Sequence, residues 1–213
     1  MTINSLKSKE NKPIPSRLGS KEEVIKECII LPLFEAYRYL KASGTITVGT
    51  HENIISNKII YNVKNKSSIS ELYEKHYIEI TLRPKEHHTE EALVEPDIEF
   101  TVFAQCKLWI EAKRIYQNDS ISNYCGKGGL EDYLIGRYSD KEDNGGMLAY
   151  IQSGSLHEIQ NEIIETIRAS NCREIIEDFG IDDMFVSIHE REKHGEINMF
   201  HLFFDFLTKS GKY

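Results

Sequence analysis

Two short stretches put charged side chains at alternate positions: Asp97-Ile98-Glu99-Phe100-Thr101 and Trp109-Ile110-Glu111-Ala112-Lys113. In an extended strand alternate residues share a face, so Asp97, Glu99 and Thr101 point one way while Ile98, Phe100 and Val102 point the other. The second stretch repeats the design, with Trp109, Glu111 and Lys113 opposed to Leu108, Ile110 and Ala112. The connection around Ala104 to Lys107 is short enough for a hairpin. A turn centred near Gln105 sets Glu99 opposite Glu111 and Asp97 opposite Lys113, gathering three carboxylates and one amine on one patch. Oxygen ligands of this kind suit a hard cation such as Mg²⁺ or Mn²⁺, which keeps waters for a nucleophile and a substrate phosphate. A lysine there orients or deprotonates one of those waters, and the metal stabilises charge on the phosphate in the transition state. The plainer alternative is the solvent face of an amphipathic hairpin, with Glu and Lys paired across strands.

The elements that must position these residues are legible to different degrees. Residues 1–18 hold Pro13 and Pro15 among Ser, Lys and Asn, the composition of a flexible N-terminal arm, which leaves 19–213 as a single domain. Ser20 and Glu23 have capping-box spacing, and the apolar periodicity after them predicts a helix from Lys21 to Lys41, bent near Pro32. From Ser43 to Ser70 the β-branched and polar wording is compatible with short strands or an irregular insert. His76–Arg83, Asp97–Phe103 and Leu108–Ile115 read as three successive strands of an antiparallel meander. LEDYLIGRYSD predicts a short helix, GGMLAYIQSG a buried strand, Ser155–Cys172 a capped helix, and Phe185–Glu190 with Met199–Leu207 the closing strands. The expected fold class is α/β, a mixed central sheet flanked by helices.

The wording Pro96-Asp97, thirteen intervening residues, then Glu111-Ala112-Lys113 after an apolar run resembles the signature of the PD-(D/E)xK, or restriction-endonuclease-like, nuclease superfamily. The order helix, strand, Asp strand, Glu-x-Lys strand, helix, strand from about Ser20 to Gln152 follows that family's core. The resemblance implies a restriction-endonuclease-like sheet and a Mg²⁺-dependent (or Mn²⁺-dependent) endodeoxyribonuclease. In it Asp97 and Glu111 ligate the metal, the Ala112 carbonyl assists, and Lys113 positions the attacking water. Many members add a glutamate from the first helix, for which Glu35 is preferred here over Glu27. Arg137 and Tyr138 are candidates to border the scissile phosphate, against a reading as loop and packing residues. Glu99 lies on the right face for a supporting or second-metal role, and Gln152, on the following strand, has a similar, weaker claim. Arg114 should face away from Lys113.

The formal net charge of −8 opposes binding of a phosphate backbone by the molecule as a whole, and no basic stripe stands out in the sequence. DNA is the expected partner, with RNA a less favoured substrate. The rival reading is a catalytically silent nuclease-fold subunit of a larger assembly, and a third is an α/β enzyme acting on a small phosphorylated molecule in a closed pocket. A homodimer would supply two sites and a groove, and bacterial restriction or antiphage defence is a setting that rests on resemblance alone. His87 and His88, beside Glu86, Glu90 and Glu91, read as an exposed polar loop rather than a metal cluster. Neither GxxxxGK[ST] nor Gly-x-Ser-x-Gly occurs. The four cysteines form no CxxC pair, no apolar run approaches about 20 residues, and the polar start lacks the apolar core of a secretory signal. These features predict a cytoplasmic protein with free thiols and no membrane segment.

Overall fold

The computed structural model describes residues 19–82, 96–103, 105–116, 120–139, 141–170 and 172–207. The expected arm at 1–18 and the His87-His88 loop lie outside them. The described chain builds a mixed α/β architecture. One seven-stranded sheet, ordered β1-β2-β3-β4-β7-β6-β5, carries a helical layer on each face.

The first helix begins as expected, with Ser20 Oγ accepting from the Glu23 amide above α1 (Lys21–Ile25). It then widens into a π turn (Lys26–Ile30), where Leu31 N donates to Lys26 O, before continuing as α2 (Leu31–Ser43). Pro32 stands just after this turn. Proline lacks an amide and crowds the preceding turn of a regular helix, so a wider turn ahead of it relieves both problems. Gly44, at φ +62°, ends the helix in the left-handed conformation that glycine adopts without a side-chain clash.

The segment from Ser43 to Ser70 is not stranded. It forms α3 (Glu52–Lys66), followed by α4 (Ser70–Glu74). Ile55, Ile59, Ile60 and Val63 recur at helical spacing and are all buried, so packing against α2 and the sheet overrides the strand preference of β-branched side chains. The helices α2 and α3 run antiparallel: Glu35 reaches Ser68, Lys66 covers Tyr39, and Lys58 reaches Thr45.

The expected meander is present as β1 (Ile78–Leu82), β2 (Ile98–Val102) and β3 (Cys106–Ile115), both pairings antiparallel. Its register differs from expectation. The hairpin closes at Val102↔Cys106, so Glu99 faces Trp109 rather than Glu111. A two-residue shift of this kind changes the partners but preserves the faces.

Beyond β3 come α5 (Ser120–Cys125) and α6 (Leu130–Leu134), the latter within the LEDYLIGRYSD stretch. The central strand β4 (Asn144–Ile151) is buried throughout and pairs in parallel with both β3 and β7, the burial expected of a strand covered on both faces. The helix α7 (Leu156–Arg168) is capped by Ser155 and stops short of Cys172, which opens an additional edge strand, β5 (Cys172–Ile176). The chain's last described strands, β6 (Met184–Arg191) and β7 (Gly195–Asp205), pair antiparallel. Among the described residues no helix is long and apolar enough to cross a membrane.

Candidate functional site

The strand β2 is shorter than β3, and the end of β3 therefore runs past it with backbone amides to satisfy. Asp97, immediately before β2, meets the first of them. Its Oδ2 accepts from the Ala112 amide at 3.0 Å. Two residues on, the Arg114 amide points to the same side of the strand and donates to Glu52 Oε2, also at 3.0 Å. Two carboxylates from distant parts of the chain thus line the overhanging edge of β3. In a hydrogen-bonded strand pair one residue presents its N–H and C=O to the same neighbour, so the Ala112 carbonyl leaves the strand on this side as well.

Glu111 and Lys113 flank Ala112 and project onto the face covered by α5, α6 and α7, the face of Ile115, Met147 and Tyr133. Lys113 Nζ donates to Glu111 Oε1 at 2.5 Å. Asp97 is 6% exposed and Glu111 3%. The structure therefore brings Asp97, Glu111, Ala112 and Lys113 together at one place, where β2 ends and β3 continues.

Two tyrosines close this place from the helical side. Tyr133, on α6, donates to the carbonyls of Trp109 and Gly146 at 3.0 and 3.2 Å, bridging β3 and β4. Tyr138 packs edge-on against it, with ring centroids 5.1 Å apart. Burial pushes both phenols above their ordinary range, and the negative charges of Glu111 and Asp97 push them further. Tyr150, on the other face of the sheet, is likewise raised by burial and then by Asp97 and Glu52, against a lowering from its hydrogen bond with Ser56. Asp97 thus acts on groups from both faces, as a carboxylate at the sheet edge should. All three phenols stay protonated near neutrality, and that of Tyr133 serves as a donor.

The remaining sequence candidates take other places. Tyr138 is buried beside the pair, whereas Arg137 turns to Asp132 at 3.2 Å. Glu99 forms a diagonal cross-strand pair with Lys107 at 3.5 Å, the plainer alternative for an alternating hairpin. Glu35 accepts from the Ser68 amide at 2.6 Å, which gives it a task at the junction of α3 and α4. Glu27 falls in the π turn. Gln152 follows β4 and donates to the carbonyls of Thr47 and Thr50 at 2.7 and 3.0 Å, pinning the turn before α3 from the face opposite Glu111. Arg114 faces away from Lys113, as expected, and reaches Thr50 O at 3.3 Å.

Sequence reasoning missed Glu52 and Tyr133. The helical spacing from Ile55 to Val63, which places Glu52 in a first turn, carried the signal for the former. Tyr133 had no signal beyond membership of a helix near the site.

The donor set can be judged for a cation. Of the two buried carboxylates, Glu111 pairs with Lys113 and Asp97 accepts from the Ala112 amide. Two carboxylates and a backbone carbonyl form an oxygen-only set of the type that suits Mg²⁺ or Mn²⁺. Among the described residues no group of three or more His, Cys, Asp or Glu side chains is placed to hold an ion, so the carbonyl, water and substrate would have to complete the shell. No family model matches the chain, and neither the curated proteins nor the solved structures yield a match.

Proposed function

We propose that this chain is a metal-dependent nuclease of the PD-(D/E)xK kind that hydrolyses phosphodiester bonds in DNA. One observation carries the reading. The Asp97 carboxylate is tied to the amide of Ala112, the residue between Glu111 and Lys113, so the three residue types that the chemistry requires meet at the edge of a single strand. Asp97, Glu111 and the Ala112 carbonyl would hold Mg²⁺ or Mn²⁺, which when bound supplies electrostatic stabilisation of the phosphate and acidifies a water. Lys113, held against Glu111, orients the attacking water and its proton. The tyrosine cover of Tyr133 and Tyr138 limits bulk water, which strengthens these interactions. Glu52 extends the acidic lining along β3 and takes the part that the resemblance gives to a helix glutamate, in place of Glu35.

The test is cleavage of supercoiled and linear DNA by purified protein with Mg²⁺ or Mn²⁺, alongside Lys113→Ala and Asp97→Ala. The expected result is metal-dependent nicking that both variants lose. Absence of cleavage in either metal at low salt would overturn the reading in favour of a silent nuclease-fold subunit.

A further inference from the structure

The chain's charge is unevenly distributed. Residues 36–70 contain five cations, Arg38, Lys41, Lys58, Lys64 and Lys66, against one carboxylate, Glu52. That segment therefore carries +4 in a chain of −8, which leaves −12 on the remainder. It comprises α2 from Ala36 onward and the whole of α3; α2 also carries Glu35, so the pair of helices by itself, residues 31–66, holds five cations against two carboxylates, +3. Glu52, the carboxylate of α3, is half-buried and accepts from the Arg114 amide, and Glu35, that of α2, accepts from the Ser68 amide.

The outward side of this pair has a particular chemistry. Along α3 the exposed or half-exposed positions are Glu52, Asn53, Ile54, Asn57, Lys58, Tyr61, Lys64, Asn65 and Lys66, and the one acidic side chain among them, Glu52, stands at the N-terminal end where it accepts from the Arg114 amide. Lys58 donates to the Thr45 carbonyl, Lys64 lies over the Tyr73 ring and Lys66 lies 3.8 Å from the centre of the Tyr39 ring. None of the three pairs with a carboxylate among the described residues, whereas Lys41 on α2 pairs with Asp205, and Lys21, Lys75, Lys107 and Lys113 elsewhere are also paired. Tyr39 and Tyr61 are 52% and 60% exposed. Lysines without acidic partners, amide side chains and exposed aromatic rings are the groups that contact phosphates, sugars and bases. An acidic protein partner would meet the lysines equally well, but it gives no reason for the run of asparagines. At its N-terminal end α3 reaches β3 through Glu52 and Arg114, adjacent to Lys113.

We propose that the outer face of the α2–α3 pair, centred on Lys58, Tyr61, Lys64 and Lys66, is the surface on which this protein holds the DNA backbone and delivers it to the edge of β3. The inference rests on the nuclease reading for its choice of polyanion. It also answers the objection from net charge: the repulsion of the molecule as a whole is offset locally, and a patch this size lies within a Debye length of the bound phosphates.

Binding of a short labelled duplex is measured in EDTA, where metal-dependent cleavage does not proceed, as a function of salt. The combined variant Lys58→Gln, Lys64→Gln, Lys66→Gln should bind about tenfold more weakly or worse. Its log–log salt slope should be shallower by about 1 for each lysine that meets a phosphate. The matching Arg triple should keep the affinity, which separates lost charge from lost folding. A control triple, Lys75→Gln, Lys141→Gln, Lys193→Gln, makes the same change in net charge elsewhere and should leave binding near that of the wild type. Equal weakening by both Gln triples, or by neither, would overturn the proposal, as would preferential binding of polyglutamate over DNA by the α3 lysines. Cleavage without a contribution from α3 would remove this surface and leave the nuclease standing. Binding through α3 without cleavage in any metal would do the reverse.

Discussion

Asp97 Oδ2 lies 3.0 Å from the amide nitrogen of Ala112, so a side chain takes the place that a neighbouring strand would otherwise fill on β3. The contact has a structural role and sets the position of a candidate metal ligand at once. Asp97→Asn keeps an acceptor oxygen while removing the charge, whereas Asp97→Ala leaves the buried Ala112 amide unpaired. We expect Asp97→Ala to lower the free energy of unfolding by about 1–3 kcal/mol and Asn by less than half of that, by urea denaturation. Cleavage should be lost in both. Retained activity in Asp97→Asn would remove this residue from the metal site.

Lys113 is the cation facing Glu111, and the pair is enclosed, with side-chain exposures of 17% and 4%. Lys113→Met removes the ammonium partner of a buried carboxylate and should cost about 3 kcal/mol, at the low end for breaking a buried pair because the amine keeps some solvent. The double variant Glu111→Gln, Lys113→Met should recover part of the loss. If the site holds a divalent ion, Mg²⁺ should raise the thermal midpoint of Lys113→Met more than that of the double variant, by preferential binding to the folded state. Equal responses would argue against Glu111 as a ligand.

Gly145 lies under Tyr133. A Cβ there would stand 2.7 Å from the Tyr133 ring and 2.8 Å from Met199 Sδ, closer than real contacts allow. Gly145→Ala should therefore destabilise the fold by about 1–3 kcal/mol through overpacking. The displaced ring would loosen the bridge between the Trp109 and Gly146 carbonyls, so cleavage should fall at temperatures where the variant remains folded. Wild-type activity in the folded variant would show that the tyrosine cover is dispensable.

A buried polar chain runs away from the site through Tyr124, His201, Ser187 and His189, with spacings of 2.9, 2.7 and 2.7 Å. Burial, and then the neighbouring His189, hold His201 well below its ordinary value of 6.5. The folded protein keeps the ring neutral, while the unfolded chain takes up a proton below about pH 6.5. Stability from this group is complete above that pH and lost as the pH falls below it, with a slope approaching about 1.4 kcal/mol per pH unit. Urea midpoints between pH 7 and 5 should show this decline. His201→Gln, which removes the titrating ring, should flatten it, and an unchanged slope in that variant would assign the acid sensitivity to other groups.

Much of the site's ingredients was legible in the sequence, because strand alternation is a local property. The faces of Asp97, Glu99, Glu111 and Lys113 follow from a period of two whatever the register, and the caps at Ser20 and Ser155 follow from single side chains with short reach. What the residues meet is not local. The register that puts Asp97 beside Ala112 was decided by where the hairpin closes, at Val102↔Cys106. The segment from Ser43 to Ser70 became helical because Ile55, Ile59 and Val63 gain more by burial on one helical face than their β-branched side chains lose in propensity. That one tertiary decision delivers Glu52 to the edge of β3 and sets Lys58, Lys64 and Lys66 around the outer side of α3, Lys64 toward α4 and Lys66 toward α2. Charge and helix packing act through space, so a basic surface within an acidic chain emerges only when the helices have docked.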